Sequence, residues 1–222
     1  MSEIFRTVID IFLHLDKNLA MVVSQYGTAT YGFLFLIIFM ETGFVVTPFL
    51  PGDSLIFTAA ALCATSSLSP SGGFNIWLIY VLLIIAAILG DTINYWIGHY
   101  VGPKIFETEN KLIKKKYLIK TQKFYDKYGG QAITLGRFVP IVRTFVPFVA
   151  GIGKMSYKYF IVYNIIGGIL WVSLFTWTGY FFGNLPFVKT NFHYVVLVII
   201  IISICPMLYE FLKSRKKVPA GH

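Results

Sequence analysis

Long apolar runs alternate with short polar segments along most of this chain. Residues 76–98 and 159–183 each provide the roughly 20 apolar residues that a membrane-spanning helix needs, and residues 186–212 contain a third such run. In residues 1–26, apolar and charged residues alternate at helical spacing, which is typical of a helix that lies in the membrane interface. The pattern predicts an all-α polytopic membrane protein with an amphipathic N-terminal helix.

Two further apolar runs, residues 31–65 and 131–156, are interrupted by prolines, glycines and charged residues. Proline removes a backbone donor, and non-helical backbone at membrane depth is tolerated only where it is buried in protein or lines a cavity. We therefore predict that each run enters the membrane, turns and returns to the same side as a re-entrant hairpin. A complete crossing by residues 31–65 is the alternative. The predicted turn positions are Pro48, Pro51 and Gly52 in the first hairpin and Pro140, Pro147 and Gly151 in the second.

The distribution of lysines predicts which loops face the cytoplasm. Residues 103–130 carry eight lysines against three acidic residues, and residues 213–222 are also basic. By the positive-inside rule both segments are cytoplasmic, as a loop and a tail, and the loops at 66–75 and 184–193 lie outside. The two hairpins then enter from opposite sides of the membrane.

Composition agrees with this class of protein. Hydrophobic residues make up 56% of the 222 positions and charged residues 13%, and the mean hydropathy is +0.70. The formal net charge is +9, but basic clusters beside apolar spans more often report topology and contact with anionic lipids than nucleic-acid binding. We therefore expect no nucleic-acid partner.

Two pairs of short motifs occur in the same order in both halves of the chain. The residues P-F-L-P-G at 48–52 match P-F-V-A-G at 147–151, and W-I-G-H-Y-V-G at 96–102 matches W-T-G-Y-F-F-G at 177–183. Together with the loop assignments, these matches favour an inverted repeat whose broken helices meet near the membrane midplane around a substrate site. Chance similarity is the alternative. The glycine pairs of the second motif, Gly98 with Gly102 and Gly179 with Gly183, also suit close helix packing.

Four charged residues lie within the interrupted runs, Glu41, Asp53, Arg137 and Arg143. An arginine at membrane depth is costly, so it faces protein, water or a ligand. Its rigid guanidinium matches phosphate oxygens, which predicts that Arg137 and Arg143 bind an anionic headgroup. A low dielectric favours the protonated form of a carboxyl group, so Glu41 and Asp53 are predicted to exchange protons during transport. The alternative is that the four side chains pair and brace the hairpins.

Three further residues have supporting roles in this hypothesis. Asp91 and Tyr95 share one face of the 76–98 helix, and Thr144 follows Arg143 directly. For Asp91 a structural hydrogen bond is the favoured interpretation. The four histidines lack ligand spacing and the two cysteines lie in apolar stretches, so we expect no metal and no cofactor. No histidine or cysteine stands beside the arginine pair to activate a nucleophile, so we do not expect an enzyme.

Several ordered motifs across residues 27–185 resemble the bacterial DedA family, which belongs to the SNARE-associated Golgi protein superfamily with the VTT domain. They are Glu41, P-F-L-P-G-D-S at 48–54, G-D-T-I-N-Y-W-I-G at 90–98, G-R-F-V-P-I-V-R at 136–143 and F-V-A-G-I-G-K-M at 148–155. The resemblance implies a bacterial inner-membrane protein with two opposed re-entrant hairpins. It places the family's acidic pair on Glu41 and Asp53 and its arginine pair on Arg137 and Arg143.

The resemblance also implies a lipid substrate. Members of the family are implicated in moving undecaprenyl phosphate, the carrier lipid of cell-wall synthesis, across the membrane, and eukaryotic relatives resemble phospholipid scramblases. We therefore expect a flippase for undecaprenyl phosphate or a related anionic phospholipid, with proton coupling as an added expectation. A proton-coupled secondary transporter of a small solute and a phospholipid scramblase are the alternatives. The sequence leaves the oligomeric state open, with a homodimer as one option.

Overall fold

The computed structural model describes residues 15–44, 52–64, 75–105, 129–183 and 185–191, together with residues 194, 195 and 198. Within these ranges all regular structure is helical. The helices of the described ranges are α1 (Leu15–Tyr26), α2 (Ala29–Gly43), α3 (Gly52–Ala64), α4 (Ile76–Ile105), α5 (Gln131–Gly136), α6 (Pro140–Ile152), α7 (Tyr157–Phe182) and α8 (Pro186–Thr190).

Helices α4 and α7 are long and apolar enough to cross a membrane. Their apolar stretches, Ile76–Val101 and Tyr157–Phe182, have mean hydropathies of 2.4 and 1.7. They correspond to the predicted spans 76–98 and 159–183, although α4 continues past the predicted end to Ile105. The remaining apolar helices α2, α3 and α6 are shorter than a full span. The all-helical membrane architecture predicted from the sequence is confirmed.

The outer surface of the described bundle is apolar, and several polar groups are buried inside it. Exposed side chains recur at nearly every fourth residue on α4, so they form one stripe along the helix. The residues of this stripe are Trp77, Val81, Ile85, Leu89 and Ile93. Asn94, Asn164 and Thr176, by contrast, are completely buried. An apolar exterior around polar interior contacts suits a protein that is surrounded by lipid.

Aromatic clusters mark both ends of the α4–α7 pair. At one end, Trp77 packs on Trp177 with ring centroids 5.3 Å apart. At the other end, the Trp96 ring lies 5.5 Å from that of Tyr157. Trp77 and Trp96 are separated by roughly 28 Å of helix at 1.5 Å per residue, close to the thickness of a hydrocarbon core. Because tryptophan and tyrosine favour membrane interfaces, we call these the Trp77 cluster and the Trp96 cluster and use them as depth markers.

Helices α2 and α3 both have one end level with the middle of α4. Gly43, the last residue of α2, lies against Gly90, and the backbone N–H of Gly52, the first residue of α3, donates to Glu41. Their other ends lie near the Trp77 cluster. The backbone N–H of Asn75 donates to the hydroxyl of Tyr31 in α2 at 2.8 Å, and Ala61 of α3 lies against Gly183 at the end of α7. Gly52 thus adjoins the predicted turn, whereas Pro48 and Pro51 lie outside the described residues.

Helices α5 and α6 approach the middle of the bundle from the Trp96 end. Gly130, which precedes α5, packs against the Tyr159 ring, and residues 137–139 form the turn before α6. Pro140 is the first residue of α6, as its missing N–H favours.

Two of the predicted turn positions in the second hairpin are wrong. Pro147 and Gly151 lie inside α6. The buried packing of α6 on α4 maintains the helix across Pro147, and Gly151 provides close approach to the Tyr95 carbonyl group instead of a turn.

Glycines in the two matching W-x-G motifs allow two close helix contacts. Gly98 of α4 lies against the backbone of Phe148 in α6, and Gly179 of α7 lies against the backbone of Phe57 in α3. These contacts confirm the packing role that the sequence predicted for Gly98 and Gly179. The other motif pair is not placed equivalently, because Gly52 begins its helix and Gly151 lies at the end of its own. An inverted repeat therefore stays a prediction.

Parts of several predicted segments lie outside the described residues. These are residues 1–14 of the amphipathic segment, 106–128 of the predicted cytoplasmic loop 103–130, and 199–222, which include most of the 186–212 span and the tail 213–222. Within the described ranges, α1 covers the second half of the 1–26 segment and α8 lies at the start of the 186–212 span.

We expect Gly98→Ala to lower the stability of the protein by about 1–3 kcal/mol, the usual cost of overpacking. A Cβ atom at Gly98 would overlap the Phe148 carbonyl group, so α4 and α6 would have to separate. Gly32→Ala in α2 is the matched control, since nothing lies within 4 Å of its Cβ position and alanine favours helix. Unfolding of both variants in detergent measures the difference. Equal stabilities of Gly98→Ala and Gly32→Ala would contradict a close contact between α4 and α6 at Gly98.

Candidate functional site

Five charged side chains, four of them buried and one partly buried, gather at the middle of the bundle and come from five different segments. They include all four residues that the sequence predicted to act on substrate and protons. The five are Glu41 of α2, Asp53 of α3, Asp91 of α4, Arg137 at the turn after α5 and Arg143 of α6. The backbone of Ala87, which contacts this cluster, is roughly 13–15 Å of helix from Trp77 and from Trp96, so the charges lie near the midplane.

Arg143 joins the two predicted hairpins through two different carboxylates. Its Nη2 lies 2.6 Å from Oε1 of Glu41, and its Nη1 lies 3.0 Å from Oδ1 of Asp53. The Arg143 side chain remains 11% exposed, whereas that of Glu41 is 3% exposed. One guanidinium group from α6 therefore pairs with both an acid of α2 and an acid of α3.

Trp171 of α7 contacts two members of the group formed by Arg143, Glu41 and Asp53. Its indole N–H donates to Oδ1 of Asp53 at 2.9 Å, and its ring lies 4.6 Å from Cζ of Arg143. The indole thus stabilises both the carboxylate and the cation. No signal in the sequence indicated Trp171, because a tryptophan inside an apolar span is ordinarily a packing residue.

Arg137 is held in a separate and more deeply buried arrangement. Its Nη2 lies 2.6 Å from Oδ2 of Asp91, and it donates to Oδ1 of Asn164 at 2.5 Å and to the carbonyl of Ala87 at 3.4 Å. Asn164 also donates to the carbonyl of Ile88 at 3.0 Å. Asp91 therefore forms a specific ion pair with Arg137, which was not predicted from the sequence. Asn164 was missed as well, although a lone amide within the apolar run of α7 was an available signal.

A small cavity connects the two arginine arrangements. Its volume of about 10 Å³ admits no more than one water molecule. The lining residues are Thr42, Asp91, Arg137, Arg143, Thr144 and Trp171. Thr144 therefore lies beside both arginines. Tyr95 does not line this cavity: its hydroxyl donates to the carbonyl of Met155 and its ring stacks on Phe160.

Comparisons with known proteins agree with this architecture. The VTT domain matches residues 50–181. The chain is 50% identical to Protein DedA of Escherichia coli K12 over 210 residues, 94% of each chain. It is also 40% identical to the membrane protein Rv0364 of Mycobacterium tuberculosis over 87% of this chain and 85% of the relative. The chain belongs to the DedA family of VTT domain proteins.

A more distant relative places this DedA family protein in the inner membrane. Inner membrane protein YghB of Escherichia coli K12 is 33% identical over 178 residues, 80% of this chain and 78% of the relative. No solved structure matches the chain. With its apolar exterior and the two membrane-capable helices of its described residues, the DedA family protein is a multi-pass protein of the bacterial inner membrane.

The charge count of the site limits what this DedA family protein can bind there. Three carboxylates face two guanidinium groups, so the fully ionised cluster carries one net negative charge. An additional anion is therefore repelled unless it replaces a carboxylate or arrives with protons. We call the described arrangement, in which the protein's own carboxylates pair with both arginines, the closed state.

Proposed function

We propose that this protein carries a lipid with an anionic phosphate headgroup across the inner membrane, with undecaprenyl phosphate as the substrate that the family resemblance favours. The observation that supports this most directly is the Arg143 guanidinium, held by two carboxylates beside a cavity near the midplane. Carboxylate and phosphate oxygens satisfy the same donor pair of an arginine. Glu41 and Asp53 then stand where the oxygens of a phosphate headgroup would bind.

The same geometry supports coupling to protons. Oε1 of Glu41 accepts from both Arg143 and the Gly52 backbone, while Oε2 makes no hydrogen bond within the described residues. Protonation of Glu41 would weaken its attraction to Arg143 and leave the guanidinium free for the headgroup. Departure of the headgroup would restore the ion pair and release the proton. Arg137 lines the other side of the cavity and is the second headgroup ligand in this proposal.

The proposal includes two opposed re-entrant hairpins. Support comes from the mid-depth ends of α2 and α3, whose other ends lie near the Trp77 cluster, and from α5 and α6, which approach from the Trp96 end. Charged headgroups would cross where the hairpins meet, while the isoprenoid tail stays in the lipid.

Two other transport functions and an enzymatic function give different expectations. A transporter for a small solute would use the same charges within a pocket closed to lipid, and a scramblase would move phospholipids without coupling to protons. An enzyme acting on lipid phosphate would need an activated nucleophile. The hydroxyl-bearing residues that line the cavity are Thr42 and Thr144, and its six lining residues include no histidine or cysteine. We propose transport without catalysis.

Reconstitution in liposomes distinguishes these functions. We expect the protein to move the headgroup of undecaprenyl phosphate between leaflets, measured by its accessibility to a membrane-impermeant phosphatase. Uptake of inorganic phosphate into the lumen without lipid movement would favour a small-solute transporter. Movement of phosphatidylglycerol at the same rate would favour a scramblase, and loss of phosphate from the lipid without the added phosphatase would favour an enzyme.

We expect Glu41→Gln and Asp53→Asn to abolish the response of transport to an imposed pH gradient. Each amide resembles the protonated acid in shape and keeps an oxygen that accepts from Arg143, but it cannot release a proton. Flux and thermal stability are measured on the same purified variants. If the acids only brace the hairpins, removing one should lower stability by about 3–5 kcal/mol together with activity. Stable variants whose flux still follows the gradient would contradict the assignment.

Cysteine labelling tests the predicted topology. Cysteines at positions 71 and 191 should react with impermeant reagents from outside, and those at 115 and 216 from the cytoplasm, because the lysine-rich segments are retained inside. Wild-type transport by each variant is the control for correct insertion. Opposite accessibility of positions 71 and 191 would contradict the opposed hairpins.

A further inference from the structure

Asn94 bridges helices α2 and α6, which carry the two members of the Glu41–Arg143 ion pair. It is completely buried on α4, one turn from Asp91. Its amide nitrogen donates to the carbonyl of Thr42 at 3.2 Å and to the carbonyl of Thr144 at 2.7 Å. The amide orientation follows from these partners, because the flipped amide would direct its oxygen at two carbonyl oxygens.

The two acceptors are placed next to the functional charges in sequence. Thr42 follows Glu41 in α2, and Thr144 follows Arg143 in α6. The Glu41 and Arg143 side chains are 2.6 Å apart. Asn94 therefore binds the two backbone segments that carry this pair, and it does so from a helix that belongs to neither predicted hairpin.

We propose that Asn94 is a positioning residue that holds Glu41 against Arg143 in the closed state and so sets how readily an anionic headgroup displaces Glu41. This inference rests on the proposed function. Relative movement of the Glu41 and Arg143 backbone segments stretches at least one of the two hydrogen bonds of Asn94. Headgroup binding and the Asn94 bridge therefore oppose each other.

This positioning role and ordinary helix packing predict opposite effects of removing Asn94 on headgroup affinity. A residue that only stabilises the bundle would lower stability when removed and leave headgroup affinity unchanged or weaker. Loss of the Asn94 bridge instead removes a restraint on the competing Glu41–Arg143 pair, so the headgroup should bind more tightly.

The test measures binding of farnesyl phosphate, a short polyprenyl phosphate, to the purified full-length protein by calorimetry. Asn94→Leu keeps the side-chain volume and removes both donors, so the half-saturating concentration should fall by about three- to tenfold, as expected for losing modest hydrogen bonds. Asn94→Ser retains one donor and should give a smaller decrease. Tyr95→Phe is the matched control, because it removes a buried hydrogen bond at the next position whose acceptor, Met155, lies far from the ion pair in sequence.

A second measurement does not depend on the lipid. The coupling free energy between Glu41→Gln and Arg143→Gln is obtained from double-mutant unfolding cycles in three backgrounds: wild type, Asn94→Leu and Tyr95→Phe. We expect the coupling to be smaller in Asn94→Leu and unchanged in Tyr95→Phe. Equal coupling in all three backgrounds, or farnesyl phosphate affinity unchanged or weakened in both Asn94 variants, would overturn the inference. A wild-type protein that binds no farnesyl phosphate but loses coupling in Asn94→Leu would contradict the proposed function and leave the positioning role supported.

Discussion

Arg143→Lys should reduce lipid transport about ten- to a hundredfold while the protein still folds. Arg143 uses two separate nitrogens, Nη1 for Asp53 and Nη2 for Glu41, and a phosphate would take over the same two donors. A lysine ammonium keeps the charge but cannot reproduce this fork. Loss of one hydrogen bond to a charged group corresponds to about 1.5–3 kcal/mol, which gives the expected range. Transport by reconstituted protein measures the effect.

Arg137→Lys is the matched comparison for this prediction. Its contacts with Asp91, Asn164 and Ala87 all go through Nη2, so a single ammonium can replace much of them. We therefore expect a smaller loss of transport in Arg137→Lys than in Arg143→Lys. A normally folded Arg143→Lys protein with full activity would show that charge alone is needed at position 143 and would contradict the headgroup fork.

Asp91→Asn should destabilise the protein by about 3–5 kcal/mol, because it leaves the buried Arg137 cation without its ion-pair partner. The Arg137 side chain is 4% exposed and that of Asp91 is 3% exposed, so water cannot compensate the lost charge. Unfolding in detergent measures the change. Thr92→Val is the control on the same helix, since it removes a hydroxyl that accepts from Asn164 at 3.3 Å without removing a charge. We expect it to cost about 1 kcal/mol.

The double variant Asp91→Asn/Arg137→Gln shows whether the two residues stabilise the protein as an ion pair or independently of each other. Removing both charges leaves two amides that can hydrogen-bond, so the double variant should recover most of the stability lost by either single variant. Additive losses would show that Asp91 and Arg137 act through different partners. Such a result would also contradict the Asp91–Arg137 ion pair of the closed state.

The contrast between the two arginines explains why sequence alone could not assign them. Both lie in one apolar segment, both are costly in a membrane, and the resemblance treats them as a pair. The fold gives Arg143 one acid from α2 and one from α3, and gives Arg137 one acid from α4. Asn164 and Trp171, which complete these arrangements, are distant in sequence from every charge they contact.

The sequence by itself determined the membrane class, the two long helices and the four principal charged positions. Each of these follows from local physics: hydropathy over about 20 residues specifies a span, and a charge inside such a run demands an explanation wherever it folds. The repeated W-x-G motifs also gave the correct packing role, because glycine permits close backbone contact whichever helix is the partner.

Only the tertiary structure decided which acid pairs with which arginine, where Asn94 forms its bridge and how Pro147 remains inside a helix. These outcomes depend on contacts between residues 27 to 118 positions apart in the chain, which no local pattern encodes. Packing of α6 against α4 outweighs the helix-breaking tendency of Pro147, and the same contact brings Thr144 to Asn94. A polar residue in an apolar run indicates that a partner must exist, but its identity depends on how the helices meet.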